Sequence, residues 1–89
     1  MDFMADFARL VEAMRANPAQ VRFRDAVKVA NHYFGEARQR GTSHCVWKMP
    51  WAGDPRVNLQ CGEGGMAKVY QIKQLLAAID RLCPAVEEG

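Results

Sequence analysis

The sequence predicts a small α+β domain in which helices cover one face of a short antiparallel sheet. Three observations carry that expectation. Two N-terminal stretches have helical apolar spacing, a central stretch drops to period two, and helical spacing returns near the C-terminus. Eighty-nine residues are enough for one hydrophobic core and too few for two. Hydrophobic residues make up 49% and charged residues 25%, a globular balance that argues against disorder or a fibrous repeat.

Phe3, Phe7, Leu10, Val11 and Met14 repeat at i, i+4, i+7 and i+8, so a first helix is expected over residues 3–16. Asn17-Pro18 ends it, because a residue before proline is pushed out of the α region. Its apolar stripe can cover the core or serve as a partner surface. A second helix is expected over roughly 22–34, where Phe23, Ala26, Val27, Ala30, Tyr33 and Phe34 repeat the spacing and Gly35 supplies a C-terminal stop. His32 falls between apolar positions there and reads as a helix-face residue.

After Gly35 the helical period disappears. Residues 43–49 are short, carry Val46 and Trp47, and close at Pro50, which predicts a strand. Residues 50–55 have turn chemistry, and Arg56-Val57-Asn58-Leu59-Gln60 then alternates polar and apolar, so a hairpin follows. Residues 36–40 are the candidate for a short edge strand. The glycine-rich stretch 62–65 reads as a flexible loop. Val69, Ile72, Leu75, Leu76, Ile79 and Leu82 mark a last helix over about 67–82, stopped by Pro84. Residues 1–20 therefore read as an N-terminal helical extension, 21–83 as the main domain and 84–89 as a tail.

Net charge is +2, but it is unevenly spread. Arg38 to Lys73 carries an excess of +4, residues 1–37 sum to zero and residues 74–89 to −2. A polyanion would be drawn to the middle of the chain. The three cysteines, Cys45, Cys61 and Cys83, lack C-x-x-C spacing, so they read as free thiols rather than a disulfide framework or zinc ribbon. No apolar run approaches the roughly 20 residues of a membrane span. Asp2 and Asp6 stand where a secretory signal would be basic, and a cytoplasmic location is expected.

Strand parity then sorts the central side chains. Cys45, Trp47 and Met49 point one way with Val57, Leu59 and Cys61, and form the core set. His44, Val46 and Lys48 point the other way with Arg56, Asn58 and Gln60. If the apolar set meets the helices, the open face gathers cations, amides and an imidazole, groups that neutralise phosphates and bond to a 2′-hydroxyl. Histidine titrates near neutrality and can take a proton from a 2′-hydroxyl or give one to a leaving 5′-oxygen.

The segment Gly41-Thr42-Ser43-His44, preceded by Arg38-Gln39-Arg40 and followed by Cys45-Val46-Trp47-Lys48-Met49-Pro50, a second strand and a helix, resembles the HicA toxins of bacterial toxin–antitoxin systems. The resemblance covers about residues 21–82. It implies a double-stranded-RNA-binding-like α-β-β-β-α sandwich, here with an extra N-terminal helix. It also implies a metal-independent, ribosome-independent mRNA interferase without a cofactor, acting on single-stranded mRNA and neutralised by a HicB-like antitoxin. The family's catalytic histidine maps onto His44, and Gly41 and Ser43 match its flanking small residues. Lys48, Arg56 and Asn58 would then hold RNA, with Arg40 close to the loop. The second proton-transfer group is open between water, Lys48 and the RNA itself. Trp51, in the long hairpin loop, can stack on a base or pack on the sheet. A non-catalytic RNA-binding domain and a protein-interaction module are the competing expectations.

Overall fold

The computed structural model describes residues 3–41, 43–53 and 56–83 of the chain. Three helices, α1 (Phe3–Ala16), α2 (Phe23–Phe34) and α3 (Val69–Leu82), pack with three strands, β1 (Gln39–Arg40), β2 (His44–Lys48) and β3 (Arg56–Gln60). The strands pair antiparallel in the order β1-β2-β3, with β2 in the centre. The chain is thus a small α+β domain.

The apolar stripe of α1 goes to the core: Phe7, Val11 and Met14 are buried in the same cluster as the sheet and the other helices. Burial of each such side chain contributes on the order of 1.5–3 kcal/mol. His32 of α2 lies flat on Phe7, ring centroids 3.9 Å apart, and adds an aromatic contact between α1 and α2. Arg15 of α1 makes a two-point ion pair with Asp80 of α3, with contacts of 3.1 and 2.5 Å.

Trp47 is the pivot of the core, with 1% of its surface exposed. A buried indole must place its N–H, and Nε1 donates to both the Asn31 Oδ1 and the Gly35 carbonyl at 3.0 Å. Gly35 closes α2 at φ 79°, a left-handed conformation suited to glycine. The carbonyl presented by this helix end therefore meets the side chain at the centre of the sheet.

Cys45, Trp47, Met49, Val57 and Leu59 all lie in the core, as their alternation predicts. Four expectations change. Val46 shares the opposite face with His44 and Lys48, yet it is 4% exposed, its short side chain lying on the centre strand with a paired strand on either side. The stretch 62–65, expected to be a flexible loop, is a tied turn of 3₁₀ helix at Glu63–Gly65. Gly62 N–H donates to the Met66 carbonyl (2.7 Å), and Ala67 N–H donates to the Val21 carbonyl (2.8 Å). Gly64 and Gly65 take φ of 66° and 77° to close it. Met66 and Ala67 also bridge Arg22 and Cys61, which delays the start of α3 to Val69. The expected edge strand contracts to two residues, and the tail over 84–89 lies outside the described residues. Cys45 is buried, Cys61 half-buried and Cys83 exposed, all as free thiols.

Candidate functional site

The Gly41–His44 segment is the connection between β1 and β2. Gly41 N–H donates to the His44 carbonyl at 2.8 Å, and the Ser43 carbonyl accepts from Cys61 N–H at 2.9 Å. The backbone on either side of His44 is thus anchored to both neighbouring strands. A Cβ on Gly41 would stand 3.4 Å from the His44 carbonyl, so little room separates the two strands at that point. Thr42 lies outside the described residues.

Because Ser43 and Cys61 exchange a ladder bond, the alternate pairs of β2 and β3 are the closer, non-hydrogen-bonded ones. These are His44 opposite Gln60, Val46 opposite Asn58, and Lys48 opposite Arg56. Their Cβ atoms stand about 4.5–5.5 Å apart and line the face away from the core as three successive rows. The imidazole row, the apolar row and the cationic row follow in that order.

His44 is exposed and lines an open groove of about 300 Å³ with Asn58, Gln60, Tyr70, Gln71 and Gln74. The groove runs from the sheet face to the first turns of α3. Its floor is organised by Gln71, whose side chain is buried at 2% exposure. The Gln60 backbone N–H, on the free edge of β3, donates to Gln71 Oε1 at 2.7 Å. Gln71 Nε2 donates in turn to Gln60 Oε1 (3.2 Å) and to the Tyr70 hydroxyl oxygen (3.3 Å). A buried amide satisfied in this way meets the requirement that polar groups withdrawn from water be paired.

Of the residues singled out in the sequence, His44 and Asn58 meet in this groove. Lys48 and Arg56 face each other at the far end of the same sheet face. Lys48 stands about 13 Å along the strand from His44, at 3.3 Å per residue, so the ammonium and the imidazole occupy opposite ends of this face. Lys48 also borders a cleft with Arg38, Phe34 and Leu82, and Arg56 a hollow with Trp51 and Arg81. Arg40 has its backbone in β1, and its side chain lies outside the described residues. Trp51 packs: it meets Phe34 edge to face at 6.3 Å, and the Arg81 guanidinium sits 4.5 Å over its ring.

Tyr70, Gln71 and Gln74 carry no motif. One sign of Gln71 is nonetheless written in the helix: at i−4 from Leu75 and i−8 from Ile79 it occupies the buried stripe, where a glutamine must find partners. Tyr70 is the most exposed large apolar side chain of the described residues, at 62%.

Fold and site together define a class: a small α+β domain with one sheet face in the core and the other carrying a histidine, amides and a cationic row. No family model, curated protein or solved structure matches the chain. No helix among the described residues is long and apolar enough to cross a membrane.

Proposed function

We propose that this chain is a HicA-like mRNA interferase, a metal-independent endoribonuclease acting on single-stranded RNA in the cytoplasm. The observation that supports the reading best is the exposed His44 at the start of β2, on the sheet face it shares with Asn58, Gln60, Lys48 and Arg56. In this reading α2, β1, β2, β3 and α3 form a double-stranded-RNA-binding-like sandwich to which α1 is added. A 2′-hydroxyl attacks the adjacent phosphorus, the bond to the 5′-oxygen breaks, and a 2′,3′-cyclic phosphate and a 5′-hydroxyl result. His44 takes the proton from the nucleophile or returns one to the leaving oxygen, and the Lys48–Arg56 row holds a neighbouring phosphate. A HicB-like antitoxin neutralises the enzyme by covering this face.

Incubation of single-stranded RNA with the purified chain and with His44→Ala tests the reading. Cleavage is expected from the first and not from the second. Intact RNA in both, with binding retained, leaves a non-catalytic RNA-binding domain. That second reading draws on one observation: the groove holds a single imidazole, with amides and a phenol as its other polar side chains.

A further inference from the structure

The hydrogen bonds beneath the groove have a direction, and it is set from one end. A backbone N–H can only donate, so the Gln71 atom facing Gln60 N–H is Oε1. Its Nε2 must then face the other way, and that nitrogen can only donate. The Gln60 and Tyr70 atoms that meet it are therefore acceptors: Gln60 Oε1 at 3.2 Å and the Tyr70 hydroxyl oxygen at 3.3 Å. With those acceptors engaged, Gln60 presents its Nε2 hydrogens and Tyr70 its hydroxyl hydrogen. The fixed part of the groove is a pair of neutral donors beside His44.

Neutral donors and cations occupy different rows of this face. The cationic row, Lys48 opposite Arg56, lies at the far end, where phosphates are held without regard to sequence. Uncharged, hydrogen-bonding side chains beside an exposed aromatic ring suit the edge of an unpaired base instead. We propose that the His44 groove reads one unpaired RNA base and prefers a carbonyl-bearing edge, that of uracil or guanine, to the amino-bearing edge of adenine. Gln60 and Tyr70 make the contacts, and Gln71 is the positioning residue that sets their polarity. The inference rests on the reading of RNA as ligand and is independent of whether the RNA is cut.

The test is equilibrium binding of 2′-O-methyl oligouridylate and 2′-O-methyl oligoadenylate, which lack the attacking hydroxyl, at several salt concentrations. The expected result is an affinity about tenfold higher for the uridylate, the scale of one well-placed base contact. Tyr70→Phe removes one exposed hydroxyl from a surface side chain and shrinks that ratio by roughly threefold or more. At a pH where its carboxylate is ionised, Gln71→Glu provides only acceptors, so Gln60 and Tyr70 must turn their hydrogens inward, and the preference shifts toward adenylate. A thermal melt of each variant verifies folding, and Tyr70→Phe alone decides the matter if Gln71→Glu does not fold. Equal affinity for both oligomers, or a ratio untouched by Tyr70→Phe, overturns the base-reading groove while RNA binding stands. Absence of salt-dependent binding to either oligomer overturns both the groove and the RNA reading.

Discussion

His44 stands directly across the ladder from Gln60, in a close non-hydrogen-bonded pair on the sheet face that the helices leave open. Its backbone is held by Gly41, while its imidazole is exposed and stays out of the core. On the proposed nuclease reading, removal of the ring separates activity from stability. His44→Ala is expected to unfold within about 0.5 kcal/mol of the wild type, the range of surface substitutions, while growth arrest on expression in a bacterial host disappears. Equal growth for the two chains, at equal protein levels, would sink the toxin reading.

The row of Lys48 and Arg56 carries a different expectation. Contacts to phosphate act on every sequence alike and release counterions. Lys48→Ala and Arg56→Ala should each weaken RNA binding uniformly across sequences and lower the slope of log affinity against log salt by about one. Titrations at a series of salt concentrations measure both quantities. A sequence-dependent loss with an unchanged slope would move these side chains from the backbone to the bases.

Trp47 and its two acceptors give a stability contrast. Trp47→Ala empties the middle of the core and is expected to cost roughly 3–5 kcal/mol, enough to unfold much of a marginally stable domain. Asn31→Ala removes only one of two acceptors, since the Gly35 carbonyl still receives the indole N–H, and should cost no more than about 1 kcal/mol. Chemical denaturation of both variants checks the order. If Asn31→Ala matched Trp47→Ala, the Gly35 contact would have no stabilising role.

Strand parity made much of this legible in advance. The period-two alternation in residues 43–49 and 56–60 is enough to put Cys45, Trp47, Val57 and Leu59 in the core and His44, Lys48, Arg56 and Asn58 on the other face. What parity cannot supply is contact between residues distant in the chain. The tie between Val21 and Ala67 that fixes the 62–65 turn joins two segments whose own composition shows only glycine and polarity. The bonds of Gln71 to Gln60 likewise exist only once α3 lies along the edge of β3. Parity also groups Lys48 with His44 on one face, but only the pairing with β3 shows the Val46–Asn58 row that separates them.

The pairing of Arg15 with Asp80 joins the first helix to the last, and its pH dependence has a definite sign. The hydrogen bond from Arg15 holds the Asp80 carboxyl below its usual value of 3.8, and the same bond raises the Arg15 guanidinium above its ordinary value. A carboxyl depressed in the folded state stabilises above its unfolded value and loses that contribution as pH falls through the folded one. The arginine side of the linkage would be lost only in strong base, so the acid window is the informative one. Both side chains are about half exposed, at 44% and 57%, so solvent screening limits the pair to at most about 1 kcal/mol despite its two-point geometry. Asp80→Asn should therefore lower the melting temperature by up to roughly 5 °C at pH 7. The difference from wild type should shrink as pH drops below 3.8, and also in 1 M salt, where screening acts within about 3 Å. Melting curves of the two chains from neutral to acid pH measure it. A gap that stays constant across that range would show that apolar packing through Phe7, Leu10, Val11 and Met14 holds α1 with no contribution from the charge pair.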